Sequence, residues 1–296
     1  MKVLNFALIG RGKWGKNYER LLKEIPGVSL QAVVDFSSGN LKTVLKNPDI
    51  HCAIIATPPK THFPIAKIAL KAGKHILLEK PMAVNLKEAE KLKKIVENLD
   101  RVLMVGFQYL FNGYVQYLKK EIENGAFGEI KNISSEHFQS PLRTDVNAFW
   151  DAAPHPLSIF QFIFNPKKII KVSVEQKNLE NSGLENYVKA AVQFDRGPLL
   201  NIAVSWPGKE KVRKFTIQGK KQTAVLDETK TAEKLTLISN KEGKITIPRV
   251  IAGEPLKNEV KHFIDCVQNR KTPLTGVNFG YLNTQWLEMI NLKISS

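Results

Sequence analysis

Val3-Leu4-Asn5-Phe6-Ala7-Leu8-Ile9 runs directly into Gly10-Arg11-Gly12-Lys13-Trp14-Gly15, and this junction decides the fold. A short apolar run that ends in G-x-G-x-x-G and continues into a helix-forming stretch, Trp14 to Glu24, reads as strand, tight turn and helix. The first glycine permits the turn, the second lets a pyrophosphate approach the backbone, and the third lets the helix pack on the strand. Free N–H groups and a partial positive charge at the helix start suit phosphate oxygens. The next apolar run, Leu30 to Val34, ends at Asp35. A carboxylate at that position accepts hydrogen bonds from a ribose 2′-hydroxyl and repels a 2′-phosphate, which favours NAD. Lys42 or Arg11 beside it leaves NADP as an alternative.

Three more short apolar runs follow: Cys52 to Ala56, His75 to Leu78 and Val102 to Val105. Nearly continuous apolar segments of this kind are strands covered by helices on both faces. Helix signals lie between them. Pro64 and Gly73 bracket IAKIALKA, and Asn85 with Glu88 resembles a capping box ahead of Leu86, Ala89, Leu92, Ile95 and Val96. The alternation predicts an α/β, doubly wound parallel sheet. Beyond it, Ile169 to Gln176, Tyr187 to Phe194, Leu199 to Trp206, Lys214 to Gln218 and Ala224 to Asp227 read as extended, with a hairpin at Asp195-Arg196-Gly197. An amphipathic helix, Leu256 to Gln268, follows. The expected organisation is a dinucleotide-binding domain over residues 1–115 and an α+β domain over 116–296, built on an open, mainly antiparallel sheet.

Composition excludes other classes. The 296 residues are 43% hydrophobic and 24% charged, ordinary for a globular protein. No apolar run approaches the ~20 residues that span a bilayer, and the start lacks the pattern of a signal peptide. The two cysteines, Cys52 and Cys266, read as buried thiols in a reducing cytoplasm. Nothing resembles a metal-binding cluster. The net charge of +16 is spread along helices without a basic block or aromatic stripe, so it reads as a solvated surface rather than a nucleic-acid footprint.

Three further stretches carry a resemblance: Ala56-Thr57-Pro58-Pro59 with His62, Glu79-Lys80-Pro81, and Asp151-Ala152-Ala153-Pro154-His155. With the opening turn, they resemble the glucose–fructose oxidoreductase and inositol dehydrogenase (Gfo/Idh/MocA) family over essentially the whole chain. The resemblance implies a Rossmann domain followed by a substrate domain, with Lys80 beside the nicotinamide and Asp151 and His155 entering from the second domain. It also implies that Thr57, Pro58, His62, Glu79, Pro81 and Gln108 line the cofactor. Two positions depart from the family pattern: Ala153 stands for a glycine and Ser158 for a final aspartate. The stretch from Asp35 to Cys52 is also shorter than is usual in members.

Oxidising a carbinol requires a group that removes the hydroxyl proton. A lysine amine does so only where burial or a neighbouring cation favours its neutral form. A histidine, with an ordinary pKa of about 6.5, needs less tuning. Lys80 and His155 are therefore the candidate acid–base pair, His155 slightly ahead, with Asp151 orienting. Arg143, Asn147 and Trp150 precede Asp151 and are candidates for holding a substrate anion, since arginine suits bidentate contacts. Lys211 and Arg213 read as sheet-surface charge, and His51, His75, His137 and His262 as structural or surface residues.

The expected function is NAD-dependent hydride transfer to or from a hydroxyl or keto carbon of a sugar or nucleotide sugar. A related reductase of a non-sugar ligand and a non-enzymatic dinucleotide-binding regulator are the alternatives. An open sheet has a second face to cover, and the resemblance implies that a neighbouring subunit covers it, in a homodimer or homotetramer.

Overall fold

The computed structural model describes residues 3–35, 39–138, 147–177, 187–206 and 210–294. The chain packs as two compact units, residues 1–108 with 254–285 and residues 109–253 with 286–296. The expected division at 115/116 is continuous, whereas the first unit takes its last elements from near the end of the chain.

The first unit alternates strand and helix: β1 (Leu4–Ile9), α1 (Lys13–Glu24), β2 (Val28–Val34), α2 (Leu41–Lys46), β3 (Cys52–Ile55), α3 (His62–Lys71), β4 (His75–Glu79), α4 (Leu86–Glu97) and β5 (Leu103–Gly106). The strands form a parallel sheet in the order β2-β1-β3-β4-β5. β3 and β5 are buried along their whole length, which explains their unbroken apolar sequences. The helix ends follow the local signals. The Asn85 side chain accepts a hydrogen bond from the Glu88 N–H at 2.8 Å, and Gly73 takes the left-handed conformation (φ 74°) after α3.

The second unit contains α5 (Gly113–Glu123), β6 (Ile130–Phe138), α6 (Ala148–Ala152), α7 (Pro154–Phe164), β7 (Ile169–Lys177), β8 (Tyr187–Phe194), β9 (Leu199–Ser205), β10 (Val212–Gly219), β11 (Gln222–Asp227), β12 (Leu235–Ser239) and β13 (Ile245–Thr246). Its sheet runs β13-β12-β11-β10-β6-β9-β8-β7. All pairings are antiparallel except β6 with β9. The fold is therefore the expected one, a parallel Rossmann-type sheet plus an open, mainly antiparallel sheet. Strand β6 was not expected, because its Ser134-Ser135-Glu136-His137 stretch hides the period-two pattern, yet it sits near the middle of the sheet.

Two helices complete the chain, α8 (Pro255–Gln268) and α9 (Val277–Ile294). The predicted helix after Leu256 forms as α8, but its apolar face serves the first unit. Phe263 is fully buried, with its ring centroid 6.2 Å from that of Phe6 in β1. The segment between α8 and α9 closes the edge of β5. The Val105 N–H donates to the Thr275 carbonyl at 2.8 Å, and the Thr275 hydroxyl donates to the Val105 carbonyl at 2.7 Å. An edge strand with its backbone groups satisfied in this way no longer invites pairing with another chain.

Candidate active site

The glycine turn shows three separate reasons for its three glycines. Gly10 has φ +89°, and a Cβ there would lie 2.7 Å from the Ala56 carbonyl oxygen. A Cβ on Gly15 would fall 2.0 Å from the Gly10 carbonyl oxygen. Turn closure and helix docking thus exclude a side chain at both positions. A Cβ on Gly12 would meet no protein atom within 4 Å. Gly12 begins α1 without a side-chain cap, so it takes up none of the first N–H groups of the helix. The protein itself gives no reason for a glycine at position 12, whereas a pyrophosphate lying against the backbone does.

The turn is pinned to its neighbours. The Gly10 N–H donates to the Val34 carbonyl at 2.8 Å, and the Ala56 N–H donates to the Ile9 carbonyl at 2.8 Å. Asp35 follows Val34 at the exposed end of β2, next to the turn. Lys13 and Trp14 are exposed on the first turn of α1. Arg11 is turned aside: its Nε donates to Glu19 at 2.7 Å. Hydrogen bonds from Arg11 and Lys23 hold the Glu19 carboxyl down at about 2.

The loops after β3 and β4 are tied together by His62. Its Nδ1 lies 2.7 Å from the Pro81 carbonyl and its Nε2 lies 2.9 Å from the Thr57 carbonyl, and the ring is fully buried. His62 therefore clips Thr57-Pro58 to Lys80-Pro81, a positioning role for the segments expected to line the cofactor. The Lys80–Pro81 peptide is cis. Glu79 is buried and accepts from the Lys80 N–H at 3.1 Å and from the Tyr18 hydroxyl at 2.8 Å. Gln108 opens a short 3-10 turn after β5. Glycine turn, Asp35, Thr57, Pro58, His62, Glu79, Lys80 and Pro81 all stand at or just beyond the carboxyl ends of the parallel strands, where open α/β sheets bind ligands.

A cavity of about 840 Å³ lies at the other end of that sheet, lined among others by His51, His75, Arg101, Cys266 and Arg270. Its histidines are committed to the backbone: His51 Nδ1 accepts from the Asn5 N–H and His75 Nδ1 from the Val102 N–H, both at 3.0 Å. The carboxyl-end turn, rather than this cavity, has the chemistry of a dinucleotide site.

In the second unit, His155 stands at the start of α7. Its ring lies between two others, with Tyr109 at a centroid distance of 4.7 Å and His137 nearly parallel at 6.0 Å. Arg213, half-buried, lines the same small cavity together with Glu228. His137 and Arg213 are direct cross-strand partners on β6 and β10. The Arg213 guanidinium donates to the carbonyls of Phe138 and Val212. Burial lowers its pKa, partly offset by the negative charge of Asp151. Burial and the Glu228 carboxylate push the Tyr109 phenol up to about 12, so it remains a neutral hydroxyl. The unit thus brings an imidazole, a phenol and a guanidinium into one cluster, with Asp151 acting electrostatically on the guanidinium.

Several expected site residues have other duties. Asn147 caps α6, accepting from the Trp150 N–H at 2.9 Å and donating to Asn291 Oδ1 at 2.7 Å. Its amide oxygen and one of its two amide N–H groups are thus used within the protein. Trp150 is buried, and its indole Nε1 has no hydrogen-bond partner among the described residues. Ser158 donates to the His155 carbonyl at 2.8 Å and is fully buried, so it replaces the family's aspartate with a helix-internal bond. Arg143 lies outside the described residues. Tyr109, His137, Arg213 and Glu228 were missed or read as structural. The signal for two of them is the period-two placement of His137 and Arg213 on strands that neighbour each other.

Residues 4–107 match the family model described as the oxidoreductase family's NAD-binding Rossmann fold, and residues 115–225 match the GFO/IDH/MocA C-terminal domain. The chain belongs to this family. Among curated relatives, it is 28% identical over 178 residues to a 1-carboxy-3-chloro-3,4-dihydroxycyclohexa-1,5-diene dehydrogenase of Comamonas testosteroni, covering 56% of this chain and 45% of that protein. It is 25% identical over 301 residues to the scyllo-inositol 2-dehydrogenase (NAD(+)) of Bacillus subtilis, covering 90% and 87%. The chain spans about half the length of most of the relatives it matches first. Among solved structures, UDP-N-acetylglucosamine 3-dehydrogenase from Acidithiobacillus ferrooxidans superposes with a TM-score of 0.86 at 18% identity, over 99% of this chain and 98% of that one. That likeness establishes the fold. No helix of the described residues is long and apolar enough to cross a membrane.

Proposed function

We propose that this member of the family is an NAD-dependent dehydrogenase acting on a hydroxyl-bearing carbon of a sugar, cyclitol or nucleotide sugar. The observation that carries the reading is Gly12, a glycine for which the protein has no need, in a turn flanked by Asp35. Gly10 to Gly15 would hold the pyrophosphate, Asp35 the ribose, and Thr57, Pro58 and Gln108 the nicotinamide side. When bound, the nicotinamide supplies or accepts the hydride. Lys80 and His155 are the groups that move the carbinol proton. His155 is the stronger candidate, because Tyr109 and His137 fix its ring. Arg213 and Asp151 orient the polar substrate. Asp35 favours NAD over NADP by repelling a 2′-phosphate. The commitment of Arg11 to Glu19 supports that preference, since it removes one cation from the reach of such a phosphate.

Two buried thiols, Cys52 and Cys266, without a disulfide fit a cytoplasmic enzyme. On β8, buried and exposed residues alternate, leaving Lys189 and Gln193 outward. This outward face is the proposed dimer surface, and sedimentation showing only monomer at micromolar concentration would remove it. The enzymatic reading is tested by following nicotinamide absorbance with a panel of inositols, aldoses and UDP-sugars. Reduction of NAD by at least one class is expected. Tight coenzyme binding with no turnover on any of them would favour a regulator instead.

A further inference from the structure

Beneath Lys80 lies a buried cluster that the proposed chemistry does not use. Tyr18 of α1 is fully buried, with its hydroxyl 2.8 Å from Glu79 Oε1 and 3.2 Å from Glu259 Oε1 of α8. Glu259 is also fully buried, and its second oxygen, Oε2, has no hydrogen-bond partner among the described residues. Glu79 accepts from the Lys80 N–H through its other oxygen.

Tyr18 cannot make both contacts fully with its own proton. A phenol has one hydrogen and can donate to only one of the two carboxyls. The other contact is a hydrogen bond only if that carboxyl carries a proton and donates to the phenol oxygen. Burial raises the Glu79 carboxyl too, but the bond from Tyr18, the Lys80 charge and the Lys80 N–H all favour its ionised form, so it is the better-supported anion of the two. Among the described residues, Tyr18 and Glu79 are the titratable groups that act on Glu259, and a buried, ionised Oε2 without a donor would be costly.

We propose that Glu259 is held as the neutral acid and donates to Tyr18, which donates to Glu79, so that a helix from near the end of the chain positions the backbone of Lys80. Burial and the Glu79 charge both push the Glu259 carboxyl well above its usual range, which agrees with this order. Gly106 leaves room for the chain of bonds: a Cβ there would come within 3.3 Å of the Tyr18 hydroxyl and 3.4 Å of Glu259 Oε1. Glu259 and Tyr18 are positioning residues, not reacting ones. The proposal rests on the reading of Lys80 as part of the reacting site.

The test uses two near-isosteric variants of the full chain, Glu259→Gln and Tyr18→Phe. Infrared spectra of protein labelled with ¹³C-glutamate are expected to show a protonated-carboxyl stretch at neutral pH that vanishes in E259Q. Its absence from the wild type overturns the proton assignment, whatever Lys80 does. In turnover with whichever substrate the panel identifies, E259Q keeps a donor to Tyr18 and should stay within about threefold of wild-type kcat. Tyr18→Phe breaks the chain and should lose about tenfold in kcat while its NADH Kd moves by less than about twofold. Unchanged turnover in Tyr18→Phe, or an equal loss in E259Q, overturns the positioning role. A fully active Lys80→Ala with the infrared band intact would instead sink only the reading of Lys80.

Discussion

The glycine turn of the first unit and the His155 cluster of the second are built on opposite plans. The turn is made of backbone. Its residues are adjacent in sequence, and their defining property is a missing side chain. The cluster is made of side chains brought from a 3-10 turn, β6, α7 and β10, from Tyr109 to Arg213. In a site of the first kind, a change at a position facing the ligand spares the fold and weakens binding, whereas a change at a position facing the protein damages both. A site of the second kind loses chemistry stepwise, one group at a time.

The largest expected effect tests the backbone plan. Gly15→Ala places a Cβ 2.0 Å from the Gly10 carbonyl oxygen, and overpacking of that kind costs ~3 kcal/mol or more when backbone must move. A calorimetric melt should show that loss, and NADH titration should show binding weakened beyond about 100-fold, roughly 2.7 kcal/mol. Gly12→Ala should melt within ~1 kcal/mol of wild type and still weaken NADH by about tenfold or more. If it binds normally, no pyrophosphate rests on that turn.

Next come the acid–base groups. Lys80→Ala and His155→Ala should each lower kcat by about 10²–10⁴, with NADH affinity held in His155→Ala. Steady-state kinetics with parallel coenzyme titrations separate the two effects. Near wild-type turnover in both ends the proposed mechanism. A smaller loss is expected at the cluster's edge: Arg213→Gln should raise KM or lower kcat about tenfold, roughly 1.4 kcal/mol. Loss of coenzyme binding there instead would show that the two sites are not separable.

The smallest effect contrasts the two ends of the parallel sheet. Burial, then the nearby Arg101 charge, lowers the His75 pKa from 6.5 to about 4. The unfolded chain therefore takes up its proton first, so stability should fall as pH drops from about 6.5 towards 4 and level off below. Allowing for partial exposure, the change is of the order of 1–2 kcal/mol. Denaturant titrations across that range check it, with His75→Gln flattening the slope. NADH affinity should not follow the same curve, because His75 sits away from the carboxyl-end turn.

The same contrast explains what the sequence revealed. The first unit was legible almost strand by strand, because fully buried parallel strands have unbroken apolar sequences and the glycines of the turn sit at fixed local spacing. Lys80, Asp151 and His155 were found through family motifs rather than through pattern. The polar run in β6 concealed both a near-central strand and the partnership of His137 with Arg213, since cross-strand register is invisible until the topology is known. The helix after Leu256 was legible as a helix. Its destination was not, because an amphipathic face shows that something is covered without showing what.

That destination has a consequence for biosynthesis. The ribosome releases β1 through β5 long before α8, so the nascent sheet waits with the Phe6 side of its core uncovered and the β5 edge unpaired. A fragment ending at residue 115 would remain in that condition permanently. Chaperone dependence and insolubility are therefore expected of the truncated half but not of the intact chain.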